Sequence, residues 1–150
     1  MHIARDMILW AMLRVVIDTN VLVAARRSRF GASSALVRAA LDGRVKALVS
    51  VALFLEYESV LLRPEQLRAA GTEEAGVGNF LDLLAREVEE VRVHYIWKPQ
   101  LADVADEMVL ETAINGRADA IATFNVRHFN AAARFGVRVA VPAAVLEILS

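Results

Sequence analysis

The sequence predicts an α/β sandwich built on a mainly parallel central sheet. Short runs of β-branched and other apolar residues alternate almost throughout with longer stretches of helical periodicity. No repeat, low-complexity tract or linker interrupts the alternation. With 57% apolar residues in 150, the chain can bury one sizeable core and is most simply one domain.

The elements follow in order. Arg14 to Asp18 reads as a strand, because Val15, Val16 and Ile17 are β-branched and apolar. Ser33 to Leu41 reads as a helix, with Ser33 or Ser34 as its cap and Gly43 just past its end. Lys46 to Ser50 is a second strand, and Val51 to Leu62 a second helix ended by Arg63-Pro64. Around Thr72 to Val88 lies another amphipathic helix, with Phe80, Leu81, Leu83, Leu84 and Val88 near helical spacing. Val91 to Ile96 alternates like a strand. Asp103 to Ile114 is a helix with Asn115-Gly116 as its stop signal. Ala120 to Thr123 and Val137 to Val141 are buried-type strands, and Ala143 to Leu149 is a closing helix started by Pro142.

Charge and composition narrow the chemistry. A formal net charge of -1 gives little general attraction to nucleic acid, so any such contact needs a local basic patch. The absence of cysteine excludes disulfides, zinc-thiolate sites and thiol nucleophiles, and suits a reducing cytoplasm. The apolar run Met7 to Leu13 is far short of the roughly 20 residues that span a membrane. Cleavage of a signal peptide there would run into the Asp18 strand. Residues 1 to 11 read as an extension, and residues 12 to 150 as the domain, with Met12 as another natural beginning.

In parallel sheets, sites form outside the carboxyl ends of the strands. That rule places Asp18, Ser50 and the stretch from Thr123 to Asn125 on one rim. Glu56 lies about a turn and a half into the helix after the second strand, and its side chain leans back towards that rim. Asp106 precedes Val109 and Leu110 by three and four residues. It therefore overlies the core-facing stripe, where a solvated carboxylate makes little sense. Three carboxylates and the Asn125 amide converging on one edge would repel one another. An oxygen-ligated hard cation, Mg²⁺ or Mn²⁺, resolves this and can activate water beside a phosphoryl oxygen. Taken singly, Asp18 could be a strand-end cap or a buried salt-bridge partner, and Glu56 a solvated helix residue like Glu58. Asp103 is most simply a helix N-cap, and Asp119 a turn acid.

With these pieces in place the chain resembles a PIN domain, specifically the PIN-type toxins of bacterial toxin–antitoxin pairs. The resemblance rests on Val15-Val-Ile-Asp18-Thr-Asn20, on the Ser50 to Leu61 segment around Glu56, and on Asp103-Val-Ala-Asp106. It continues through Ala118-Asp119-Ala-Ile-Ala-Thr123-Phe-Asn125 and the ending around Pro142. It implies a three-layer α/β/α domain that cleaves RNA with Mg²⁺ or Mn²⁺, often as a homodimer, with a partner antitoxin that blocks the site. Carried across, the catalytic and metal-holding acids are Asp18, Glu56 and Asp106. The family's usual fourth acid falls on Asn125, which can ligate through its carbonyl oxygen but removes one negative charge. The family's frequent Asp-Pro-Asp-Asp lead-in is here Asp103-Val-Ala-Asp106.

The chemistry this implies is in-line attack of an activated water on an RNA phosphodiester. Asp18 and Asp106 hold the ion, Glu56 ligates or orients the water, and Asn125 positions water or phosphate. Thr19, Asn20 and Thr123 support them. Arg26, Arg27 and Arg29 with Phe30, and Arg127 with His128, fall near the same rim as phosphate and base contacts, or form solvated loops. His2 and His94 read as structural, and Tyr95 and Trp97 as packing residues. No Ser-His-Asp spacing or Gly-rich phosphate loop is present. Two other functions remain open: a non-catalytic module that binds RNA or an antitoxin, and an aspartyl-phosphate phosphohydrolase. The second would need an acid where Asn20 stands.

Overall fold

The structure is a computed structural model that describes residues 12–94, 100–101 and 103–149. Five strands form one sheet in the order β3-β2-β1-β4-β5, and every pairing is parallel. They are β1 (Arg14–Ile17), β2 (Lys46–Val49), β3 (Glu89–Glu90), β4 (Ala120–Ala122) and β5 (Arg138–Ala140). Helices α1 (Thr19–Arg27) and α2 (Ala32–Leu41) connect β1 to β2. Next come α3 (Val51–Leu61), α4 (Pro64–Ala70) and α5 (Glu74–Glu87), then α6 (Val104–Asn115) after β3. A 3₁₀ segment, Val126–Phe135, joins β4 to β5, and α7 (Pro142–Leu149) closes the described chain.

The central strands explain the layering. Successive strand residues point to opposite faces of a sheet. Val15, Val16 and Ile17, like Ala120, Ile121 and Ala122, are nevertheless all buried. Both faces of the sheet are therefore covered, which is the α/β/α arrangement expected of a parallel sheet. One set of helix contacts joins α1, α2 and α7, and another joins α6 to the 3₁₀ segment.

Several local readings are corrected. The sequence alone assigns no element to residues 19–32, where the structure places α1, with Val21 and Leu22 entering the core. Ser33 and Ser34 do not cap α2; Gly31 occupies the cap position, and both serines are buried inside the helix. The Ser34 hydroxyl is held by the Ala25 and Ser28 carbonyls instead, so it fastens α2 to the end of α1. The strand expected over 91–96 is displaced to Glu89–Glu90. Val91 still donates to the Val49 carbonyl at 2.7 Å, but β2 ends there and no partner backbone continues. Residues 95 and 96, like Tyr95 and Trp97 as packing residues and His2 in the leader, lie outside the described residues.

Other signals behave as read, with a refinement at the end of α6. Asp103 is its N-cap, its side chain accepting from the Asp106 amide at 3.0 Å. Gly116 keeps a negative φ, and the left-handed residue is Arg117 at φ 52°. Glycine is needed at 116 for room: a Cβ there would meet Val91 Cγ2 at 2.8 Å and the Thr112 carbonyl oxygen at 2.9 Å. Across the amino end of the sheet, Arg14 on β1 grips Glu89 on β3 with two hydrogen bonds, of 3.0 and 2.6 Å. Asp119 receives the Arg14 amide at 2.8 Å, a turn acid as expected. Among the described residues no helix is long and apolar enough to cross a membrane.

Candidate active site

The chain lays down β1, β2 and β3 to one side, then returns to place β4 and β5 on the other side of β1. The strand order thus reverses between β1 and β4, and a crevice opens outside their carboxyl ends at such a point. Asp18 directly follows β1 and Thr123 directly follows β4. Their backbones continue the ladder, the Asp18 amide donating to the Ala122 carbonyl at 2.9 Å.

Asp18 holds the N-cap position of α1, but its side chain makes no capping hydrogen bond. Its carboxylate is turned to the crevice, where Thr123 Oγ1 donates to Oδ2 at 2.6 Å. Asp18 is 7% exposed and Thr123 fully buried. Burial pushes the Asp18 carboxyl above the usual carboxylate range. The Thr123 hydrogen bond opposes that rise, the charge of Asp106 adds to it, and the Thr19 amide and His128 pull back. Asp18 and Asp106 are therefore close enough to repel.

Asp106, in the first turn of α6, keeps only 13% of its side chain exposed. Its Oδ2 lies 3.0 Å from His128 Nδ1. One buried tether joins its helix to α3, and a second joins α3 to β1 at the rim. The Thr112 and Ser50 hydroxyls are hydrogen-bonded at 2.9 Å, and Ser50 caps α3 by accepting from the Leu53 amide. Tyr57 donates its hydroxyl to the Ile17 carbonyl, one residue before Asp18. Burial raises the Tyr57 phenol far above its ordinary range, so it stays a donor.

The expected residues divide. Asp18, Asp106, Thr123 and the backbone of Asn125 are brought together. Asn20 joins them through Oδ1, which accepts from the Phe124 amide at 3.4 Å. Glu56 is half-buried, one residue from the core-anchored Tyr57. Neighbours on a helix point about 100° apart, so Tyr57 in the core leaves Glu56 at its margin. Among the described residues no three His, Asp or Glu side chains stand as one metal-holding group. The contacts of Thr123 and His128 thus set Asp18 and Asp106 as a pair on one rim, with Glu56 half-buried on α3. This pair fits Mg²⁺ or Mn²⁺, which are commonly held by one or two carboxylates, several waters and substrate phosphate.

The basic residues divide too. Arg26 and Arg27 lie in the last turn of α1, eight and nine residues beyond Asp18 and so about 12 Å along the helix. They do not line the crevice. The Arg26 guanidinium sits 4.9 Å over the Phe80 ring, and Arg27 binds Gln66 Oε1 at 3.1 and 2.8 Å. Arg29 and Phe30 are exposed beyond the same helix end. Arg127 is exposed two residues past Asn125, and Phe124, directly before Asn125, is 50% exposed. Sequence reasoning missed the Ser50–Thr112 pair and the contact of His128 with Asp106. A signal for the first existed: Thr112 falls among Val109, Leu110 and Ala113 on the buried stripe, where a hydroxyl needs a partner.

Compared with models of known protein families, the chain matches that of the PIN domain over residues 14–127. No curated protein matches it. The matched span contains all three expected acids and the Thr123 to Asn125 turn, and stops one residue before His128.

Proposed function

The chain belongs to the PIN domain family, and on that premise we propose that it is a Mg²⁺- or Mn²⁺-dependent ribonuclease. The family is one of nucleases that act on RNA and generally use divalent metal ions. The observation that carries the reading is the convergence of Asp18 and Asp106 at the reversal point of the sheet. Two acids held in mutual repulsion beside buried walls are costly for a fold and useful for cation binding.

In this reading Asp18 and Asp106 hold the ion. Bound there, it supplies an activated water and neutralises charge on the phosphoryl oxygen. Thr123 fixes the Asp18 carboxylate by its 2.6 Å hydrogen bond, and Thr19 adds its amide. Asn20 ties the Phe124 backbone to the start of α1. Glu56 orients the attacking water from the margin of the crevice, and Asn125 positions water or phosphate. Arg127 contacts the RNA backbone, since exposed arginine beside a phosphate site fixes register. Arg26 and Arg27 are left out of the phosphate contacts in this reading, because at the far end of α1 Arg26 packs over Phe80 and the exposed Arg27 binds Gln66.

The finer biological reading rests on the ordered motifs that resemble PIN-type toxins. It makes the chain the cytoplasmic toxin of a toxin–antitoxin pair, a homodimer blocked by its cognate antitoxin. Residues 12 to 150 make the nuclease domain in this reading, and residues 1 to 11 an extension. Incubation of the purified protein with RNA tests the activity. Cleavage is expected with Mn²⁺, absent after chelation and restored by added Mn²⁺. Cleavage that survives chelation overturns the reading.

A further inference from the structure

We propose that His128 is a positioning residue that presets the Asp106 carboxylate and the spacing between the two acids. The proposal rests on the ribonuclease reading and concerns a residue outside the span matched to the family. The geometry is a continuous relay. Thr123 Oγ1 donates to Asp18 Oδ2 at 2.6 Å and accepts from the Asn125 amide at 2.9 Å. The Asn125 carbonyl accepts from the His128 amide at 2.9 Å, and His128 Nδ1 reaches Asp106 Oδ2 at 3.0 Å. One short turn therefore grips both acids, one at each end.

The turn is anchored where it must be. Thr123 is fully buried, and Phe129, directly after His128, is 1% exposed in the core. His128 itself is more than half exposed, so burial does not explain its placement. Its ring spends one nitrogen on one oxygen of Asp106 and leaves the other oxygen for a cation. A hydrogen bond from behind a liganding carboxylate fixes its orientation and supports affinity, and losing such a partner typically costs 10–100-fold. Asparagine at 128 carries an N–H donor near the position of Nδ1, so it can replace the contact without an imidazole.

Mn²⁺ binding by titration calorimetry tests this, with thermal melts as a check on folding. His128→Ala is expected to fold normally and bind Mn²⁺ 10–100-fold more weakly, while His128→Asn stays within a few-fold of wild type. An alanine variant that binds as tightly as wild type, or more tightly, overturns the inference and leaves the ribonuclease reading standing. Equal losses in both variants also overturn it, since the donor would then not matter. Absence of Mn²⁺ binding in the wild type overturns the ribonuclease reading, and the inference falls with it. Nitrogen NMR of the metal-free protein is a second readout: a proton on Nδ1 of His128 is expected, and its absence from that nitrogen contradicts the proposal.

Discussion

Thr123 Oγ1 donates to Asp18 Oδ2 at 2.6 Å, joining the ends of two neighbouring strands that lie 105 residues apart in sequence. Thr123 also accepts from the Asn125 amide. Thr123→Val keeps the shape and removes both functions. It is expected to cost about 1–3 kcal/mol, because a buried carboxylate loses a donor and an amide loses an acceptor. Thr123→Ser keeps both and is expected to cost about 1 kcal/mol for the lost methyl. Urea unfolding separates the two; equal losses would show that the hydroxyl contributes nothing.

The Arg14–Glu89 pair gives a pH dependence. Its hydrogen bonds to Arg14 hold the Glu89 carboxyl below its usual range, against a smaller opposing effect of burial. A carboxyl with a lowered folded value stabilises the fold at pH above its unfolded value. That contribution disappears as the pH falls through the folded value. Glu89→Gln is therefore expected to be less stable than wild type at pH 7 and equal to it well below pH 4.5. Both side chains are partly exposed, which keeps the difference at or under about 1 kcal/mol. Denaturant melts at the two pH values check this, and a gap that widens in acid would contradict it.

Arg26 and Arg27 are neighbours with different surroundings. Arg26→Glu is expected to cost about 1–3 kcal/mol, since it removes the cation over Phe80 and sets a carboxylate among Val23, Leu61 and Val77. Arg27→Glu is expected to stay within about 0.5 kcal/mol of wild type, because that side chain is exposed. Thermal melts decide; equal destabilisation would contradict the packing role of Arg26.

These cases show what the chain reveals before folding. The sheet was legible because buried parallel strands write themselves as unbroken apolar runs, such as Val15 to Ile17 and Ala120 to Ala122. The rim was legible too, since every carboxyl strand end in a parallel sheet shares one edge. Asp106 could be read from its place over Val109 and Leu110. Helix α1 was hidden because Val-Leu-Val is equally apolar as strand or helix, and only burial of Val21 and Leu22 in three dimensions decides. Arg26 and Arg27 were set near the rim for the same reason: a helix of this length carries them away from Asp18. His128 carried no periodic signal, because a 3₁₀ turn set its direction and a residue 22 positions earlier gave it a partner.

On the proposed ribonuclease reading, the Asp18 carboxylate serves cation binding and RNA cleavage at the expense of the fold. Burial and the nearby Asp106 both disfavour its charge, so Asp18→Asn should leave the metal-free protein at least as stable as wild type at neutral pH. The decisive measurement is Mn²⁺-dependent RNA cleavage by this variant, with its unfolding curve recorded alongside. Cleavage is predicted to be abolished in a protein that folds normally. Undiminished cleavage by folded Asp18→Asn would show that Asp18 does not hold the ion.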